Sequence, residues 1–115
     1  MNLYMYRGDT RIFKCIAKSQ DGVVVNLGTT DIYFTVKREL SDPDASALIT
    51  KDSVTPDGIT KTDSVNGEFE IKISPADTSD LTGTFYYDIE LRMGTDVYTV
   101  DMGKLSIMED VRITL

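Results

Sequence analysis

Between Leu81 and Ile107, apolar and polar side chains alternate too regularly for the stretch to be anything but sheet. Phe85, Tyr87, Ile89 and Leu91 fall on one face, and Tyr86, Asp88, Glu90 and Arg92 on the other. A period of two places alternate residues on opposite faces of a strand, whereas a helical face repeats at 3.6 residues. Met93-Gly94-Thr95-Asp96 supplies a turn, and Val97 to Val100 a second strand. Asp101-Met102-Gly103 reads as a break before a third strand carrying Leu105 and Ile107. A meander of this kind is not stable alone, so the rest of the chain must provide a second layer.

The upstream sequence has the same grammar. Ile32, Phe34 and Val36 alternate with Tyr33, Thr35 and Lys37, and Phe69, Ile71 and Ile73 with Glu68, Glu70 and Lys72. Phe13, Cys15 and Ala17 alternate too, but Ile12 and Ile16 make the second face apolar, as for a strand covered partly on both sides. Asp21-Gly22 and Asn66-Gly67 are hairpin signals, the first followed by the β-branched run Val23 to Val25. Ala47 to Lys51 reads as a short strand, Leu3 to Tyr6 as either a first strand or an arm. Ser74-Pro75-Ala76-Asp77-Thr78 suits one helical turn near residues 75–80, with serine at the N-cap, proline first in the helix and an early acid. Leu81 is expected to plug the bottom of the core. Phe85, Tyr87, Ile89 and Leu91 are expected to form its centre, opposite Phe34 and Phe69. About seven to nine short strands with frequent turns and no long helix predict an all-β, antiparallel β-sandwich.

The 115 residues form one domain, 1–115, with residues 1–6 as a docking arm or edge strand. A net charge of −7 repels phosphate backbones and anionic lipid, so neither nucleic acid nor a membrane is an expected partner. No signal-peptide pattern opens the chain and no apolar run is long enough to span a bilayer. The single cysteine excludes an internal disulfide, leaving packing to hold the layers together.

No chemical motif emerges. Histidine is absent, which removes the commonest general base and the serine and cysteine triads. Cys15, within a strand alternation, reads as a structural thiol. Asp88 with Glu90, and Glu68 with Glu70, have an i, i+2 spacing of ~7 Å that would suit a glycosidase pair, but also the solvated side of a sheet. Asp42 with Asp44, and Asp77 with Asp80, lack the spacing of a calcium loop, and no cofactor or metal is expected. Arg7-Gly8-Asp9 spells an adhesion tripeptide where a turn is needed anyway. That leaves aromatic surface: Leu3, Tyr4, Met5 and Tyr6, together with Tyr86 and Tyr98, are the expected binding residues.

Several motifs, in order, resemble the N-terminal immunoglobulin-like domain of phage baseplate upper proteins and related small tail proteins. They are Tyr6-Arg7-Gly8-Asp9-Thr10, Asp21-Gly22 and Asp31-Ile32-Tyr33-Phe34-Thr35-Val36-Lys37. Gly67-Glu68-Phe69-Glu70-Ile71, Ser74-Pro75-Ala76-Asp77-Thr78, Gly83-Thr84-Phe85-Tyr86-Tyr87-Asp88-Ile89 and Gly103-Lys104-Leu105-Ser106-Ile107 continue the series. The resemblance runs from about Tyr6 to Ile113. It implies an immunoglobulin-like sandwich without catalysis, made in the host bacterial cytoplasm and built into a tailed-phage virion. Its partners would be other virion proteins or further copies in a symmetric ring. Baseplate upper proteins continue into a long C-terminal portion, so a chain of this length is expected to be an accessory subunit. Phe85 stands where an antibody-type domain would place its corner tyrosine, and Tyr87 where it would place its second cysteine. A carbohydrate-binding sandwich that offers tyrosines to host glycans is the alternative.

Overall fold

In the computed structural model, which describes residues 2–110, the alternating stretches pair into two stacked sheets. The strands are β1 (Asn2–Tyr6), β2 (Arg11–Ile16), β3 (Asp31–Lys37), β4 (Ile49–Asp52), β5 (Ile59–Asp63), β6 (Glu68–Ile73), β7 (Gly83–Met93) and β8 (Asp96–Met108). A five-stranded sheet has the order β1-β8-β7-β3-β4, and a three-stranded sheet the order β2-β6-β5. The chain is an all-β sandwich that crosses between its sheets after β1, β2, β4 and β6. Among the pairings of these eight strands, one is parallel. Strand β1 runs parallel to β8, with Leu3 beside Leu105 and Met5 beside Ile107, before the chain crosses to β2 in the other sheet.

The inward faces of both sheets make one core. Phe85, Tyr87, Ile89 and Leu91 are buried in β7, as their alternation predicts, and Phe69, Ile71 and Ile73 of β6 are buried in the opposite sheet. Phe34 does not face β7. It lies beside it in the same sheet, in register with Ile89, and its ring centroid is 5.8 Å from that of Tyr87. Leu81 only packs against the core's margin, whereas Leu27, in a loop, is fully buried. The helical turn α1 (Pro75–Thr78) forms where serine and proline place it, and the Asp77 carboxylate accepts the Ser74 N–H at 2.7 Å.

Three local expectations change. The segment after Gly94-Thr95 is one long strand, not two. Ile89 pairs with Asp101 and Glu90 with Thr99, so Val100 is an extra residue, and the apparent break is a β-bulge. Val23 to Val25 do not extend the hairpin at Asp21-Gly22 into a strand. The turn closes, but only an isolated bridge between Lys18 and Val24 follows, made by the Ser19 N–H to the Val23 carbonyl and the Val25 N–H to the Ala17 carbonyl. The outward face of β2 is uncovered, with Ile12 and Ile16 exposed. Gly67 is needed beside this hairpin: its φ is +72°, and a Cβ would sit 2.8 Å from the carbonyl oxygens of both Ala17 and Val25.

A buried cation closes the β4 side of the sandwich. Lys51 alternates with Ile49 on the inward face of β4, so its ammonium must be neutralised where water is scarce. Its Nζ lies 2.9 Å from Asp77 Oδ2 and 3.7 Å from Asp57 Oδ1, which ties β4 to α1 and to the turn before β5. The stem of Lys51 runs under Gly58, where a Cβ would come within 2.6 Å of its Cδ. Lys51→Ala removes both the counter-charge of Asp77 and this packing. Because Asp77 keeps some solvent contact, the expected loss is about 2 kcal/mol, less than for a fully buried pair. Urea denaturation would measure it, and an unchanged midpoint would mean the pair is not a clamp.

Candidate interaction surface

The outward face of the five-stranded sheet is built from the polar half of each alternation. Cross-strand partners share a face, so the register reads off its rows. In the middle row lie Thr50 of β4, Thr35 of β3, Asp88 of β7 and Met102 of β8. On one side lie Lys37, Tyr86, Lys104 and Asn2, and on the other Asp52, Tyr33, Glu90 and Thr99. The segment after β3 rises beside this face. There Asp44, in a 3-10 turn (Asp44–Ser46), accepts a 2.7 Å hydrogen bond from Lys37 Nζ. The result is a groove of about 290 Å³ whose sides include Leu40, Asp44, Tyr86 and Met102.

Charges in the groove are unequally compensated. Glu90 is engaged by Arg92 at 2.9 Å, and the Arg92 guanidinium also lies 4.8 Å from the centre of the Tyr33 ring. The Asp52 carboxylate accepts from the backbone N–H groups of Val54 and Thr55 and from the Thr55 hydroxyl, which hold it below the usual carboxylate range. The hydrogen bond from Lys37 likewise lowers Asp44. Asp88 differs: burial first, and then the charge of Glu90, push its carboxyl up.

The expected binding residues divide between two environments. Tyr4 and Tyr6 stand beside Ser106 and Met108 on the outward face and are 56% and 53% exposed, and half-buried Tyr86 lies on the same face with β8 between. Met5 is 3% exposed and sits in the core, so it offers no side-chain surface for docking, and Leu3 is partly buried against that core. The first strand is therefore part of the sandwich, not a detachable arm. Tyr98 is half exposed but pairs with Leu91, which faces inward, so it is not joined to the other tyrosines. Sequence reasoning missed Met102 and Met108, both exposed beside the tyrosines; without the bulge, their phase in β8 could not be read.

Other motifs are absorbed by the fold. Arg7 binds Asp110 through Nε and a terminal nitrogen at 3.1 and 3.0 Å, and the Gly8 N–H donates to Thr78 Oγ1, so the Arg-Gly-Asp tripeptide is a structural turn. Cys15 faces the core, where burial and then the charge of Asp101 push its thiol up to about 11, the opposite of an activated nucleophile. The Tyr87 hydroxyl donates to Asp101 at 2.9 Å. Burial and then this bond raise the Tyr87 phenol above its ordinary value. Glu68 and Glu70 stand beside Ile16 and Lys14 on the outward face of the smaller sheet. Among the described residues, no group of three acidic or cysteine side chains could hold a metal ion.

Comparison with known protein families and with curated proteins yields no match.

The environment of Asp88 has a measurable consequence. It is set by Glu90 on its own strand, by Lys37 from β3 and by Asp44 from the adjoining wall. A carboxyl whose pKa is higher in the folded chain than in the unfolded one binds more protons when folded, so its ionisation opposes folding. Asp88→Asn is therefore expected to raise the denaturation midpoint at pH 7. The gap from the parent should close as pH falls through the raised pKa toward the ordinary value of 3.8. A variant less stable than the parent at pH 7 would mean that the ionised carboxylate has a structural partner.

Proposed function

We propose that the chain is a non-enzymatic structural subunit of a tailed-phage virion, acting through protein–protein contact on the outward face of its larger sheet. The observation that carries this reading is the grouping of Tyr4, Tyr6, Met102 and Met108 on one uncovered face, with Tyr86 among them. Tyrosine and methionine are enriched where proteins meet, and exposed groups of large side chains mark interaction surfaces more often than solvated sheet. The virion assignment rests on the ordered motif resemblance, with which the sandwich topology is consistent. Glycan recognition is the weaker reading. Arg92 stacks over the Tyr33 ring, and that ring face is then closed to a sugar.

The test is incorporation. When the chain is expressed with the structural genes that neighbour its own, it should co-sediment with purified particles at a fixed ratio to the other subunits. Recovery only at the top of the gradient, with particles otherwise complete, would contradict the assignment.

A further inference from the structure

We propose that the groove on the outward face of the larger sheet receives an arginine side chain from a partner protein, with Asp88 as the carboxylate that binds it. The inference rests on the reading above, that the chain works by protein contact, and adds the chemistry of that contact.

Three observations point to this occupant. The first is size. At about 290 Å³ the groove falls at the lower edge of small-molecule pockets, enough for one long side chain. The second is the pattern of commitments. Lys37 is bound to Asp44 and Arg92 to Glu90, Asp52 accepts from its own turn, and Lys51 reaches through to Asp77 on the inward side. Asp88 alone among the groove's carboxylates has no hydrogen bond or ion pair within the described residues, although it is half-buried at the centre of the floor. Lys37 acts on Asp88 only at a distance, its ammonium being bonded to Asp44, so a half-buried carboxylate without a direct partner calls for a cation.

The third is the shape of the walls. Tyr86 flanks Asp88 on the neighbouring row, the Tyr33 ring on the other side being covered by Arg92, and Thr35 and Thr50 continue the row of Asp88 with hydroxyls. A guanidinium can bond a carboxylate through two parallel N–H groups while its plane stacks on a tyrosine ring, leaving further N–H groups for threonine oxygens. An ammonium offers neither the fork nor the plane. The chain's charge of −7 also favours approach by a basic partner.

The probe is N-acetyl-arginine amide, titrated into the isotope-labelled full chain and followed by NMR. The amides of Thr35, Thr50 and Asp88 should shift together in a saturable way, and N-acetyl-lysine amide should bind more weakly. Asp88→Asn should weaken arginine binding at least tenfold, which corresponds to about 1.4 kcal/mol. Asp80→Asn, an equal charge change at an exposed position outside the groove, should leave it unchanged. Shifts that are absent, or that persist in Asp88→Asn, would overturn the proposal. So would a neutral trisaccharide that moves the same amides when the arginine amide does not, and that result would identify a sugar site. Particle incorporation separates the two readings. A chain that enters particles but ignores arginine keeps its structural role and loses this site, whereas a chain that never enters particles loses the role itself.

Discussion

The sandwich depends on the burial of one stripe, Phe85, Tyr87, Ile89 and Leu91, in the core between the two sheets. Strand β7 lies at the middle of the larger sheet, bonded to β8 on one side and β3 on the other. Its inward side chains are almost completely removed from water. At roughly 1.5–3 kcal/mol for each large apolar side chain buried, no single polar contact in the molecule approaches the contribution of this stripe. Because side chains alternate, fixing the inward face also fixes Tyr86, Asp88, Glu90 and Arg92 on the outward one. The groove is thus the reverse side of the core, and its floor is as rigid as the packing behind it.

The bulge at Val100 links strand geometry to surface composition. One extra residue reverses which face the following side chains occupy. Up to Thr99 the odd-numbered residues of β8 pair with the outward side of β7, and from Met102 onward the even-numbered ones do. The reversal brings Leu105 and Ile107 into the core and sends Met102, Lys104 and Met108 outward, toward Tyr86 and the tyrosines of β1. It also leaves Tyr98 on the other side. Without the bulge, the end of β8 would present its apolar residues to water and lose its match to β1.

Much of this was legible in the sequence, because alternation in a half-buried strand records which face is inside. Phe34, Phe69 and the β7 stripe announced the core, and Ser74-Pro75 announced the helical turn. What escaped detection depended on partners distant in sequence. The bulge looked like a break because a phase reversal and a strand end interrupt alternation in the same way. Met5 could not be told from Tyr4 and Tyr6 until β8 was placed beside them, since an apolar N-terminal segment fits an arm as well as an edge strand. Ile12 and Ile16 suggested a covered face that the three-stranded sheet does not have. The buried role of Lys51 was unreadable, since a lysine between apolar neighbours gives no sign that two aspartates will neutralise it. Asp88 looked like any solvated carboxylate until its neighbours proved to be committed elsewhere.

Strand β1 separates scaffold from surface within five residues, and it allows the most direct test of the claim that a rigid core presents a functional face. The measurement is incorporation into particles, read together with the denaturation midpoint, for the pair Tyr4→Ser with Tyr6→Ser and, separately, for Met5→Ser. The tyrosine variant should keep the parent midpoint and fail to incorporate, while Met5→Ser should lose stability through its buried contacts. A tyrosine variant that enters particles at the parent ratio would contradict the account, because the face that the core holds in place would then not be the one that works.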